Sequence, residues 1–491
     1  MNRRYILMAI TVFAAIDVGS HETAMRIYEI SKKHGVHELE YLHHTARLGY
    51  ETFSTRHISY HTIDKLCNIL LGFKEKMMEY RIKDYMIIAT SALREADNNL
   101  IVLDQVKQRT GFQIKILSNS EQRYLCYKAI ALQPNSFHKL IQKGTLLVDV
   151  GGGSIQLSLF DKNNLITTHN ILLGSLRIQE FLQTMQGDVI NYQNLVHEYI
   201  SNSLHTFSKL YLQDCNVRNI IAVGNQLQTF VKYLVTHHFG NLQPVDSKGN
   251  KKDSVNRQEY EELYHAISTQ APDDLARELS ISEDKAELLL PTAMIYHNIF
   301  EETDAEFMWL SGITICDGMA ADFAECKEHI VPAHPFSDDI ISVSRKLAER
   351  FCCDTEHIHQ VEIAALKLFD ALRKANHLTK KDRLLLQIAA ILHNCGSFLN
   401  LNDIGENSYK IVTSTEIIGL SHLEREIIAN VVRYNIRDFD YDMMQLETEA
   451  GQDLAGVSDR TAITILIAKL TAILRLANSM DKTHKSKLVD C

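Results

Sequence analysis

Residues 14–20 read Ala-Ala-Ile-Asp17-Val18-Gly19-Ser20, and residues 146–154 read Leu-Leu-Val-Asp149-Val150-Gly151-Gly152-Gly153-Ser154. Both follow one plan: an apolar β-type run, an Asp, then glycine and serine. Each leads into a second apolar run, Ala24-Met25-Arg26-Ile27-Tyr28 in the first copy and Ile155-Gln156-Leu157-Ser158-Leu159-Phe160 in the second. Strand, Asp-x-Gly turn, strand describes a hairpin whose tip exposes backbone N–H groups. Glycine lets that backbone turn sharply and approach a ligand with no side chain in the way. Successive N–H groups form a concavity that binds anions. A Ser hydroxyl adds a donor, and the Asp can hold a hydrated divalent cation beside a phosphate. Two copies predict a duplicated domain with a phosphate site between its halves. Glycine turns also join strands that bind nothing, so other segments must decide.

Working outward, residues 12 to about 134 read as three strands, a helix, a strand and a helix. The strand over Tyr85–Thr90 runs into Ser91-Ala-Leu-Arg94-Glu95-Ala96, which starts a helix, and the strand over Phe112–Ser118 runs into a helix through Ile130. From 144 to about 320 the plan repeats, with the second hairpin, a strand over Asn219–Gly224, then helices. Strands alternating with helices mean an α/β layer fold. The polar stretch from His237 to Asp274 is read as holding an exposed insertion. Pro332 and Pro335 mark a boundary, beyond which the pattern is helical. Val361, Ala364, Ala365, Leu368, Phe369 and Leu372 share one helical face, and Leu384–Leu392, Leu423–Val432 and Ile463–Leu476 predict further buried helices. The expected domains are 1–134 and 135–330, the two α/β halves, and 336–491, all-α.

A chain of 491 residues predicts two or three domains. Its 45% hydrophobic and 23% charged content suits a soluble globular protein. A net charge of −10 argues against general nucleic-acid binding, which needs a broad basic surface. A polyanionic substrate stays open, because local clusters such as Lys248-Gly-Asn-Lys251-Lys252, Lys380-Lys381-Asp-Arg383 and Lys482-Thr-His-Lys485-Ser-Lys487 act within a Debye length of ~10 Å. Nine scattered cysteines with no Cys-x-x-Cys pair suit reduced thiols and a cytoplasmic location, with no zinc motif. The apolar run from Tyr5 to Ile16 is too short to cross a membrane and reads as a buried first strand. No membrane partner is expected.

Several residues carry two readings. Ser118-Asn119-Ser120-Glu121 is either a capping box or a carboxylate at the mouth of an α/β cleft, placed to deprotonate water. Arg94 and Arg177 are either phosphate ligands or ordinary exposed helix arginines. His357 and His393 could bind a metal from separate helices. With no adjacent acid, satisfied core histidines are favoured.

At these residues the chain resembles the exopolyphosphatase/guanosine pentaphosphate phosphohydrolase family, over nearly its whole length. The two Asp-x-Gly stretches are similar to that family's phosphate motifs, the second being the most specific match. Ala89-Thr90-Ser-Ala-Leu-Arg94-Glu95-Ala96, Leu173-Gly174-Ser-Leu-Arg177 and Leu117-Ser118-Asn-Ser-Glu121-Gln-Arg also match. The resemblance implies a duplicated actin-like, hexokinase-like fold of the ribonuclease H type, followed by a helical HD-like domain. It implies a hydrolase releasing the terminal phosphate of inorganic polyphosphate or the γ-phosphate of guanosine pentaphosphate. Glu121 would be the base, with Gln156 beside it in the catalytic site. Gly19, Ser20, His21, Arg94, Gly151, Gly152, Gly153 and Ser154 would bind phosphate, and Asp149 and Asp17 would hold Mg²⁺. A homodimer is the expected assembly.

The departures are specific. The first motif usually continues Gly-Ser-Asn-Ser, and here it is Gly19-Ser20-His21-Glu22. The second usually ends Ser-Thr-Glu, and here Gln156 replaces the glutamate. A later Gly-Gly-Thr turn reads Gly224-Asn225-Gln226. In the helical domain the HD pair reads His393-Asn394 and a later aspartate reads Asn478, so two acids of an HD site are amides and no HD-type metal is expected there. The alternative reading is a low-turnover or non-catalytic protein that binds polyphosphate or a guanosine polyphosphate.

Overall fold

The computed structural model describes residues 10–132, 137–185, 192–212, 215–224, 227–237, 254–327, 336–439 and 456–482. The chain divides into two compact units, one made of Met1–Asn164 with Thr168–His334, the other of Leu165–Thr167 with Pro335–Cys491.

The first unit holds two mixed sheets. The strands of the first are β1 (Thr11–Val18), β2 (Glu22–Ser31), β3 (Gly35–Thr45), β4 (Asp84–Ala89) and β5 (Lys115–Ile116), in the order β3-β2-β1-β4-β5. Those of the second are β6 (Gly144–Val150), β7 (Ile155–Asp161), β8 (Asn164–Ile171), β9 (Val217–Val223), β10 (Ser254–Asn256) and β11 (Phe307–Leu310), in the order β10-β11-β9-β6-β7-β8. Read from the other edge, the second sheet is β8-β7-β6-β9-β11, the plan of the first, with β10 added. In each sheet the Asp-bearing strand pairs antiparallel with the strand after it and parallel with the third strand after it, β1 with β2 and β4, β6 with β7 and β9. Central strands with a parallel partner are covered on both faces and so read as continuous apolar runs. Phe13, Ala14, Ala15, Ile16 and Val18 are accordingly all buried, as are Leu146, Leu147, Val148 and Val150.

The predicted strand over Phe112–Ser118 shrinks to Lys115–Ile116, which pairs only with Ile88 and Ala89 at the sheet's edge. Residues 238–253 of the polar stretch from His237 lie outside the described part. From Ser254 on it forms regular elements, β10 and then the helix Arg257–Thr269. That helix buries Tyr260, Leu263 and Ile267, an i, i+3, i+7 stripe concealed by many charged neighbours. Asn256 and Glu259 close a capping box at its start.

The helices Asn119–Ala131 and Ile315–Cys326 pack so tightly that a Cβ on Gly318 would lie 2.4 Å from the Leu125 carbonyl oxygen. Lys128 spans them, its ammonium 2.7 Å from Asp322 and 2.6 Å from Glu325.

In the second unit, from Phe336 on, the described elements are helices, among them Thr355–Leu372, Lys380–Leu392, His422–Arg433 and Gly456–Met480, which pack on one another. Within the last, Arg460–Met480 is long and apolar enough to cross a membrane. Its Ile467, Leu470, Leu474 and Ala477 are buried inside this unit.

Candidate active site

Asp17 and Asp149 occupy equivalent places, each the penultimate residue of its strand. The two turns close alike: the Gly19 N–H donates to Glu22 O at 3.1 Å, and the Gly151 N–H to Ser154 O at 2.9 Å. A helix start holds each tip from outside, through Gly49 N–H to Ser20 O and Leu176 N–H to Gly152 O. The tips touch. A Cβ on Gly152 would come within 3.1 Å of Ser20 Cβ and 2.7 Å of Leu176. The expected approach of the two hairpins is therefore present, and glycine is what permits it.

Between the tips lies a cavity of about 100 Å³. Both hairpins line it, through Asp17, Gly19, Ser20, His21 and Glu22 on one side and Asp149, Gly151, Gly152 and Ser154 on the other. Ser91, Ser175, Gln122, Cys126 and Gly224 are also among its lining residues. Among the described residues no lysine or arginine lines it.

The electrostatics follow from three carboxylates sharing a small buried volume. Burial, then the charges of Glu22 and Asp149, raise the Asp17 carboxyl to about 7. Burial raises Asp149 to about 6, against the opposing pull of the Gln122 amide and of Arg123. The Gln122 side-chain N–H donates to Asp149 Oδ2 at 3.4 Å. Asp17 Oδ1 is buried with no hydrogen-bond partner. Both ring nitrogens of His21 are in the same state, and burial lowers that imidazole's proton affinity. Glu22 accepts from Tyr41 Oη at 3.2 Å and pairs with Lys285 at 3.1 Å. Gln156 stands opposite Asp149 in the β6–β7 register, so the two share a face. It is 1% exposed, and neither end of its amide has a partner. Buried polar groups are nearly always bonded; the unpartnered atoms of Asp17 and His21 belong to residues that line the cavity, and Gln156 is outside that lining.

Glu121, Arg94, Arg177, Gly153 and Gln156, all expected at the site, are not part of the cavity lining. Glu121 is outside the cavity lining: its carboxylate accepts from Ser118 N–H at 3.0 Å and Ser118 Oγ at 3.1 Å, and pairs with Lys115 at 2.7 Å. It closes the capping box, and Gln122 is the residue this motif presents to the cleft. Burial pushes the Glu121 carboxyl up, but Lys115 and the Ser118 donors outweigh it and hold it below the usual range. Arg94 also leaves the cleft, donating to Leu117 O at 2.6 Å and Asn119 Oδ1 at 2.5 Å. Arg177 donates to Gly153 O at 2.7 Å, pairs with Glu95 and covers the Phe53 ring. Long side chains go where neighbours satisfy them, and spacing alone does not reveal those neighbours. The sequence reading missed Gln122, Glu22 and Ser91, whose hydroxyl is 2.9 Å from Ser20 Oγ. The Gly-Ser-His-Glu departure was the one available signal for Glu22.

The turn Gly224-Asn225-Gln226 reaches the cleft at Gly224, while 225 and 226 lie outside the described residues. In the helical unit an acid does stand beside the histidines: Asp481 Oδ2 is 2.9 Å from His357 Nδ1. His357 Nε2 lies 3.1 Å from Asn478 Oδ1 and 3.3 Å from His393 Nε2.

The model of the Ppx/GppA phosphatase family matches residues 26–325, and that of Ppx/GppA phosphatase domain III matches 341–490. The chain belongs to the Ppx/GppA phosphatase family. Membership makes it a phosphoric anhydride hydrolase by class, and the helical unit is the family's domain III. A guanosine-5'-triphosphate,3'-diphosphate pyrophosphatase of Photobacterium profundum is 21% identical over 425 residues, covering 86% of this chain and 80% of that protein. An exopolyphosphatase of Cytophaga hutchinsonii aligns with a TM-score of 0.56 at 15% identity, covering 65% of this chain and 98% of that one. The Aquifex aeolicus Ppx/GppA member gives 0.51 at 17% identity, covering 66% and 100%. These structures share the fold of two mixed sheets.

Proposed function

We propose that the cleft removes the terminal phosphoryl group of a linear phosphoric anhydride: the end of inorganic polyphosphate, or the γ-phosphate of guanosine pentaphosphate. The observation that carries this reading is the meeting of two Asp-x-Gly hairpins around one cavity. The Ser20, Ser91, Ser154 and Ser175 hydroxyls and the turn N–H groups donate to phosphoryl oxygens. Asp17 and Asp149 fit a hard divalent cation: both are buried, both carboxyls are pushed upward, and Asp17 Oδ1 lacks a partner. When bound there, Mg²⁺ supplies positive charge against the anionic oxygens. Gln122 gives its N–H to Asp149 and keeps its carbonyl oxygen to orient an attacking water. Glu121 can serve as base only by leaving Ser118 and Lys115. Phosphoryl transfer runs through a loose transition state and draws chiefly on positioning and charge stabilisation, which the hairpins provide.

A second reading, a binding protein of low turnover, draws on one observation. The side chains beside Asp149, Gln122 and Gln156, are amides where carboxylates would activate water more strongly. Phosphate release from long polyphosphate and from guanosine pentaphosphate, measured side by side with Mg²⁺, separates the two. Release from either supports the hydrolase, and tight binding without release supports the second reading. Neither binding nor release would remove both.

A further inference from the structure

Away from the cleft, three potential metal ligands converge on the first unit. His197 belongs to the helix Tyr192–Tyr211, and His297 and Glu301 lie one turn apart on the helix Leu289–Glu301, which packs against it. One ligand atom from each lies within 4.8 Å of the others. His197 Nε2 is 3.5 Å from Glu301 Oε2, and His297 Nε2 is 3.6 Å from Glu301 Oε1. These separations are too long for hydrogen bonds. Each is close to roughly 3.4 Å, the spacing of two ligands on an ion with bonds of about 2.0–2.1 Å, and the two oxygens of one carboxylate face the two rings, Oε2 toward His197 and Oε1 toward His297. The His297 ring is also held in place. Tyr264 stacks on it at 4.2 Å between centroids and 11° between planes. Its Nδ1 is buried without a hydrogen bond, 3.2 Å from Glu261 Oε2. Glu261 is near enough to accept from that nitrogen once the ring binds an ion, and a carboxylate so placed fixes the tautomer with the other nitrogen's lone pair toward the metal.

We propose that His197, His297 and Glu301 bind a late first-row divalent cation, Zn²⁺ foremost, at a site separate from the phosphate cleft. Two imidazoles and one carboxylate select Zn²⁺, Co²⁺ or Cu²⁺ over Mg²⁺, which prefers oxygen alone. Glu301 is exposed, so a fourth position opens to water and the ion can exchange. The ion would fasten the two helices together. The one bearing His297 also carries Tyr296, whose hydroxyl donates to Val148 O at 3.4 Å, next to Asp149 in the cleft strand. Metal at this site therefore stiffens the support of β6.

The test uses the full chain, stripped with chelator and held in saturating Mg²⁺ so that oxygen-only sites are filled. Co²⁺ is titrated by visible absorption, and Zn²⁺ by competition with a chromophoric chelator. The expected result is one tight ion per chain with the intense absorption of four-coordinate Co²⁺ and a raised Tm. Glu261→Gln should weaken binding by about 10–100-fold, and His297→Gln should abolish the absorption. Glu301→Gln, at an exposed position that leaves the fold intact by circular dichroism, should abolish it too. His357→Gln, in the helical unit, should change nothing. Undiminished Co²⁺ binding in His297→Gln and Glu301→Gln, loss of binding in His357→Gln alone, or no tight ion in the parent chain would each overturn the proposal.

Discussion

Glu121 and Gln122 are adjacent in sequence and face different surroundings. Each residue turns an α-helix by about 100°. Ser118 and Lys115 therefore hold Glu121 on one side, and Gln122 meets Asp149 on another. Glu121→Gln should keep phosphate release within a few-fold, because glutamine at this position still closes a capping box. Loss of the exposed Lys115 partner should cost about 0–1 kcal/mol. A fall of roughly 10²–10⁴ in rate would instead restore the base role. The pH dependence has a definite sign. The folded carboxyl is depressed, so its contribution is present above the unfolded pKa of about 4.3 and is lost as pH falls through the folded value. Tm measured against pH should show the parent chain above Glu121→Gln at neutrality, with the gap closing below about pH 4. Gln122→Glu and Gln156→Glu should both tighten the Mg²⁺ dependence of phosphate release, and Gln122→Glu should raise its maximum. Metal titrations that superimpose on the parent curve would mean that neither side chain reaches the metal.

At the scale of elements, the two hairpins depend on backbone contact that a methyl group prevents. Gly152→Ala would set a Cβ 2.7 Å from Leu176 and 3.1 Å from Ser20. Overpacking of that kind costs about 1–3 kcal/mol. The expected outcome is a lowered Tm together with reduced phosphate release, because the tip that moves also carries Gly151 and Ser154. Unchanged thermal unfolding and activity would show that the tips stand further apart. The hairpins were legible in the sequence because an Asp-x-Gly turn is a local event, closed by a bond three residues long. The five residues of Phe112–Ser118 lost from the predicted strand were not, because the length of an edge strand depends on how far its neighbour extends.

For the whole molecule, charge sets the terms of substrate binding. The chain carries −10, and its cleft holds Asp17, Glu22 and Asp149 with no lining cation among the described residues. A polyanion entering alone is repelled. Binding of long polyphosphate, followed by filter retention or calorimetry, should therefore vanish in chelator and return with Mg²⁺. Binding that survives chelation would place the main contacts on basic surfaces outside the cleft. The cooperating groups come from far apart in the chain: Glu22 pairs with Lys285, and His197 meets His297 and Glu301.

By itself, the sequence determined the duplicated hairpin plan, the change to helices after Pro335 and the family, because each is written in contiguous periodicity or a short motif. Which side chains face the cleft was decided only by tertiary structure. Gln122 enters and Glu121 is capped, Arg94 bonds Leu117 and Asn119, and Asp481 comes up beside His357. The Ser118–Glu121 cap was one of two readings that local spacing offered, whereas Gln122, Arg94 and His357 are directed by partners from other elements, of which local spacing holds no record.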